Sequence, residues 1–78
     1  MPIINLIYFG SATDVTGISA ETIDAPPTSD ELNEFLHNRY PGLSVMSYRL
    51  TVNRQLITEN RQLADGDEIA LLPPFAGG

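Results

Sequence analysis

The 78-residue chain contains no cysteine, no tryptophan and no lysine. The lack of cysteine excludes disulfide bridges, thiolate nucleophiles and zinc ribbons, and it fits a reducing compartment, so we expect a cytoplasmic protein. The basic residues are four arginines, against ten acidic residues, and the formal net charge is -6. This balance argues against binding to nucleic acid or to anionic membranes, and it favours partners with basic surfaces.

Long apolar runs are also missing, since none approaches the roughly 20 residues of a membrane-spanning helix. Residues 1–5 carry no charged segment and no cleavage site, so we interpret them as the start of a strand and not as a signal peptide. The length allows one small domain with a thin core.

The first apolar run, residues 3–9, has the length and the β-branched content of a strand. Alternation places Ile4 and Tyr8 on one face, and it places Ile7 and Phe9 on the other. Both faces are therefore largely apolar. Either the strand is covered on both sides, or Ile7 and Phe9 form an exposed patch for a partner.

The clearest helix signal is a capping box at Thr28 and Glu31, which precedes an apolar stripe with helical spacing and ends at Pro41. The remaining segments predict four further strands, at residues 18–23, 48–52, 55–57 (a short one) and 68–72. Turns are predicted over 10–17, after the first strand, and at 65–67, before the last.

This order of elements, with one main helix on a mixed sheet, predicts an α+β domain of the β-grasp (ubiquitin-like) type. We expect residues 1–72 to form the domain and residues 73–78 to form a flexible Gly-Gly tail. One helix covers only one face of a sheet, so Ile7, Phe9 and Leu72 are expected on the uncovered face.

Residues for metal or nucleophilic chemistry are scarce. His37 is the only histidine, lies opposite the apolar stripe, and is expected on the solvated surface. The acidic run over 65–68 has too few spaced ligands for calcium and is interpreted as a turn. The sequence has no glycine-rich phosphate loop. We therefore expect this chain to bind no metal and no cofactor, and to have no independent active site.

The most informative segment is the tail, which consists of Pro73, Pro74, Phe75, Ala76, Gly77 and Gly78. The prolines end the strand and favour an extended path, Phe75 can anchor in an apolar pocket, and the two glycines can enter a narrow channel. A carboxylate at Gly78 would be ionised and a poor electrophile. It would need activation by a partner that binds ATP, after which the acyl carbon could accept sulfur or an amine.

Several stretches resemble the small, sulfur-carrying subunit of molybdopterin synthase, which is the MoaD-like family of ubiquitin-like sulfur carriers. They are the residues 7–10 (Ile-Tyr-Phe-Gly), 15–17 (Val-Thr-Gly), 52–53 (Val-Asn) and 63–78, where an Asp-Gly-Asp-Glu turn and a strand precede Pro-Pro. Two departures stand out: Thr13-Asp14 replaces a frequent Arg-Glu, which weakens inferences about contacts of that turn, and Phe75 replaces a small aliphatic residue.

The resemblance implies a cycle that consumes ATP on a partner. A ubiquitin-activating-enzyme-like adenylyltransferase adenylates Gly78, and a sulfurtransferase supplies the sulfur that makes a thiocarboxylate. The tail then enters the large catalytic subunit of the synthase, where two sulfurs, delivered one at a time, convert cyclic pyranopterin monophosphate into the molybdopterin dithiolene. The family pattern is a heterotetramer of two small and two large subunits.

The resemblance also assigns residues. Gly78 would carry the sulfur and Gly77 would be its slim neighbour. The expected partner interface comprises Ile7, Phe9, Leu72, Pro73, Pro74, Phe75 and Ala76.

Two other functions stay open at this point. One is a sister carrier for thiamine, cysteine or tRNA thiolation, or a protein modifier. The other is a plain β-grasp interaction module with an incidental tail.

Overall fold

The computed structural model describes residues 2–73, and the elements in this range follow the predicted order with two additions, α1 and a 3-10 helix. They are β1 (Ile3–Tyr8), α1 (Ser11–Thr16), β2 (Ala20–Asp24), α2 (Ser29–Arg39), a 3-10 helix (Pro41–Val45), β3 (Arg49–Val52), β4 (Gln55–Leu56) and β5 (Glu68–Leu72).

The five strands form one mixed sheet in the order β2-β1-β5-β3-β4. The central pair, β1 and β5, is parallel, and the other pairs are antiparallel. A hairpin places β2 beside β1, and the crossover through α2 and β3 returns the chain to β5 in the middle. This arrangement confirms the predicted β-grasp fold.

Helix α2 begins at the predicted cap. The Thr28 hydroxyl oxygen accepts a hydrogen bond from the backbone N–H of Glu31 at 3.3 Å. The hydroxyl also donates to the Glu31 carboxylate at 3.1 Å, so Glu31 contacts the Thr28 side chain and not its backbone N–H. Asp30 and Glu31 lie in the first turn, where carboxylates favourably oppose the helix dipole.

The core lies between α2 and one face of the sheet. The helix contributes Leu32 and Leu36, both fully buried. Burial alternates along β1 as predicted, whereas three consecutive residues are buried in β3 (50–52) and in β5 (69–71). The largest fully buried side chains are Ile4, Leu6, Leu32, Leu36, Leu43, Val52, Ile69 and Leu71. Of the helices formed by residues 2–73, none combines the length and the apolar content needed to cross a membrane.

The turn predicted over residues 10–17 is wrong, because its middle forms the short helix α1. Gly17 closes this helix in a left-handed conformation, with φ 78° and an N–H bond to the carbonyl of Thr13 at 2.8 Å. The Thr13 hydroxyl donates to the carbonyl of Tyr8 at 2.9 Å and ties the helix to β1. The second strand consequently starts at Ala20, two residues later than predicted.

The prediction that His37 is a solvated surface residue is also wrong. Its ring is half-buried, and Nε2 lies 2.8 Å from the hydroxyl of Tyr48, which donates to Oδ1 of Asn33 at 2.8 Å. Tyr48 precedes β3 and packs against this side of α2. The network fastens α2 to the segment that leads into β3.

A second polar cluster joins the end of α2 to the edge strand β2. The Glu21 carboxylate accepts hydrogen bonds from the hydroxyls of Tyr8 and Tyr40 and pairs with the Arg39 guanidinium at 3.2 Å. The Glu21 side chain is 12% exposed, so one mostly buried carboxylate satisfies three donors, one from β1 and two from the end of α2. Burial and the bonds to Glu21 raise the pKa of both tyrosine hydroxyls.

We predict that Glu21→Gln lowers the free energy of unfolding by about 1–3 kcal/mol, because a neutral amide cannot serve three donors as a carboxylate does. Urea unfolding followed by circular dichroism measures the change. Asp24→Asn is the matched control, since Asp24 lies exposed on the same strand and should shift the value by less than about 0.5 kcal/mol. Equal losses in the two variants would contradict this role of Glu21.

We further predict that the fold loses stability as the pH rises above about 10. Burial raises the pKa of Tyr48 to about 12, and the pKa values of Tyr8 and Tyr40 are raised as well. Unfolded tyrosines ionise near pH 10, so their stabilising effect is intact below that pH and is lost as the pH rises through the folded-state values.

Tyrosinate absorbance, which no tryptophan obscures here, measures this titration in native buffer and in urea. The native curve should lie at higher pH and coincide with loss of the circular dichroism signal. Tyr48→Phe should make the stability loss less steep. Folded protein that titrates near pH 10 at all three tyrosines would refute the prediction.

Candidate functional site

The face of the sheet opposite α2 carries an apolar patch. Alternation along β1 turns Ile3, Asn5 and Ile7 away from the core, and Ile3 and Phe9 are 48% and 46% exposed. We call Ile7, Phe9, Thr51, Ala70 and Leu72 the open-face patch. Together with Arg54 and Glu68 they line a depression of about 400 Å³. Phe9 is exposed as predicted, whereas Ile7 and Leu72 line the same depression and are partly buried. Thr51 and Ala70, at its floor, are 8% and 7% exposed.

The strand register explains why these side chains meet. Ala70 is the neighbour of Ile7 across the parallel pair and of Thr51 across the antiparallel pair. Leu72 follows on the same face of β5, two residues after Ala70. The patch thus runs across β1, β5 and β3, and its members come from three separate segments between residues 7 and 72.

The patch adjoins the place where β5 ends. Because β1 and β5 are parallel, they end at the same edge of the sheet, with Tyr8 opposite Leu71 as the last pair. The backbone N–H of Phe9 donates to the carbonyl of Leu71 at 3.2 Å. β5 ends one residue later, and the residue that follows it, Pro73, has no N–H to donate to a neighbouring strand.

Gly10 gives Pro73 room at this edge. Its φ of 55° is in the range that favours glycine, and it turns the chain from β1 into α1. A Cβ atom on Gly10 would lie 2.9 Å from Cγ of Pro73, which is too close. The tail therefore starts beside Phe9.

The predicted site residues Pro74, Phe75, Ala76, Gly77 and Gly78 lie outside the described residues.

Charge at the rim of the patch comes from the β3–β4 turn and the start of β5. Nε of Arg54 lies 3.8 Å from a carboxylate oxygen of Glu68, and the two side chains are 88% and 39% exposed. Asn53 fixes the turn, because its amide donates to Asp67 at 2.9 Å and accepts from the backbone N–H of Glu68 at 2.9 Å.

Sequence reasoning identified the patch only in part. Thr51 alternates with Leu50 and Val52, and Ala70 with the core residues of β5, so alternation alone could have added both. Alternation also places Glu68, two residues before Ala70, on this face, whereas Arg54 required the turn geometry. The use of this surface and of the tail by a partner stays a prediction.

Comparison with known proteins decides the family. The model of the ThiS family matches residues 6–78. The chain belongs to this family of ubiquitin-like sulfur carriers. The resemblance to MoaD-like proteins is thereby confirmed, since the curated relatives include the molybdopterin synthase sulfur carrier subunit of Phaeosphaeria nodorum, 32% identical over 95% of this chain and 88% of the relative.

Solved structures agree on the fold. Small archaeal modifier protein 1 of Haloferax volcanii superposes with a TM-score of 0.80 at 21% identity, over 95% of this chain and 99% of that chain. A chain from the complex of subunits 1 and 2 of the molybdopterin-converting factor of Helicobacter pylori superposes with a TM-score of 0.73 at 28% identity, over 97% of this chain and 99% of that chain.

Proposed function

We propose that this chain is the sulfur carrier subunit of molybdopterin synthase and that Gly78 carries the sulfur. The observation that supports this most is the family match, which runs from β1 through Gly77 and Gly78, together with a curated molybdopterin synthase relative at 32% identity. The likeness to the archaeal modifier protein, at 21% identity, supports the fold alone.

The proposed chemistry needs three steps. A Gly78 carboxylate oxygen attacks the α-phosphorus of ATP on an activating enzyme, which gives an acyl-adenylate and releases pyrophosphate. Sulfur at the oxidation level of sulfide, supplied through a sulfurtransferase, then attacks the acyl carbon and displaces AMP, so the product is a thiocarboxylate. In the large subunit this sulfur passes to cyclic pyranopterin monophosphate, and water restores the carboxylate.

The large subunit is the proposed partner of the open-face patch. The Helicobacter pylori relative is described in a complex of subunits 1 and 2 of the molybdopterin-converting factor. In this chain the open-face patch is apolar, as surfaces that bind partners commonly are, and it lies beside Pro73. Docking of the patch would therefore place the start of the tail at the partner's surface. Phe9 supplies the largest apolar side chain of the patch, as anchors of interfaces commonly do.

We predict that protein produced with the activating enzyme carries one sulfur in place of one oxygen on its C-terminal peptide. Peptide mass spectrometry must locate the change, because oxidation of Met46 adds a nearly equal mass. Deletion of Gly77 and Gly78, or a residue added after Gly78, should abolish restoration of molybdoenzyme activity in cells that lack the small subunit. Both variants should fold normally, since the core lies within the described residues.

The outcomes separate the alternatives. Full activity of the deletion variant would favour a plain interaction module. A thiocarboxylate that fails to restore molybdoenzymes would indicate a sister carrier for thiamine, cysteine or tRNA thiolation, and recovery of the chain on lysines of other proteins would indicate a modifier.

We also predict that Phe9→Ser weakens binding to the large subunit at least about tenfold, since it removes an aromatic anchor. Its urea midpoint should change little, because the ring is 46% exposed. Val45→Ser is the control: Val45 is 88% exposed on the 3-10 helix, away from the patch, and its loss should leave binding intact. The result to be measured is the dissociation constant by calorimetry, and unchanged binding by Phe9→Ser would exclude the patch as the interface.

A further inference from the structure

Arg54 has a backbone conformation that arginine rarely adopts. The two residues between β3 and β4, Asn53 and Arg54, have φ values of 51° and 70°. A two-residue hairpin with positive φ at both positions normally carries asparagine followed by glycine, because glycine adopts the second position without steric cost. An arginine in this region is strained, because its Cβ lies too close to the following carbonyl oxygen.

The contacts of Arg54 do not offset that cost. Its side chain is 88% exposed, and the ion pair with Glu68 is 3.8 Å long at an exposed place, where water screens the attraction and such pairs stabilise little. Asn53, by contrast, makes two side-chain hydrogen bonds, to Asp67 and to the backbone N–H of Glu68 at the start of β5. Asn53 therefore accounts for the shape of the turn, and a glycine at position 54 would suit the fold better than the arginine.

The strained turn holds a cation at the edge of the open-face patch. Arg54 lines the same depression as Phe9, Ala70 and Leu72, and it is the basic member of that set. The chain as a whole has a net charge of -6, so this cation departs from the charge of its surroundings. Arg49 also turns toward this face, as the neighbour of Leu72, but it is a regular residue of β3.

We propose that Arg54 is a specificity-determining residue, which pairs with a carboxylate of the large subunit when the open-face patch docks. This inference rests on the proposed function. An apolar patch attracts partners without fixing their orientation, whereas charges at the rim fix the register and exclude wrong partners. A guanidinium suits the task because its planar fork binds a carboxylate through two parallel hydrogen bonds.

The test compares Arg54→Gly with the unaltered chain, because this substitution should raise the stability of the fold and lower the affinity for the large subunit. The variant should unfold at a higher urea concentration, since the turn is relieved. It should also bind the purified large subunit about 3- to 10-fold more weakly in low salt, and its binding should depend less on salt. Calorimetric titrations at two ionic strengths, alongside urea unfolding, measure both effects.

Two variants serve as controls. Arg54→Lys keeps the charge without the fork, so it should recover only part of the affinity. Arg61→Gln removes the same charge at a site beside the start of α2, outside the depression, and should bind as the unaltered chain does.

The result has four readings. Weaker binding by Arg54→Gly with intact binding by Arg61→Gln supports the inference. Equal binding by Arg54→Gly and the unaltered chain overturns it while the proposed function stands, and equal losses in Arg54→Gly and Arg61→Gln overturn it in favour of net charge. An unaltered, folded chain that does not bind the large subunit overturns the proposed function and the inference with it.

Discussion

The parallel pairing of β1 with β5 at the centre of the sheet is the constraint on which the rest of the structure depends. It places the first and last strands of the domain side by side, and a single 11-residue helix, α2, must cover them. One helix has only one face to offer. The alternation that buries Ile4 and Leu6 therefore turns Ile7 outward, and the same strands that build the core also build the open-face patch.

Parallel pairing also determines where the tail starts. Two parallel strands end at the same edge, and here β1 leaves the sheet by turning at Gly10 while β5 ends at Leu72, just before Pro73. A tail from an antiparallel partner of β1 would have started at the opposite edge, far from Phe9. Under the proposed function this matters because one docking event then both buries the patch and aims the tail.

The sequence allowed the fold and the exposed patch to be predicted because both depend on local patterns: strand alternation, one well-capped helix and the number of covering elements. Helix α1 could not be found this way, since six residues rich in Ser, Thr and Asp have the composition of a turn. The environment of His37 depends on Tyr48, which is distant in sequence. The strain at Arg54, by contrast, had a readable signal, because two residues between predicted strands indicate a turn with positive φ.

A sulfur carrier of this kind would meet more than one partner with the same tail, first for activation and then for transfer. Apolar contacts suit that requirement because they are not directional, so the open-face patch can pack against different surfaces. Discrimination then has to come from charges that are matched by one partner and opposed by another. A net charge of -6 favours basic partners in general but does not distinguish between them. The cation that the strained turn holds at the rim supplies that discrimination under the proposal. Under this proposal the net charge of the chain attracts basic partners, and Arg54 selects among the partners that arrive.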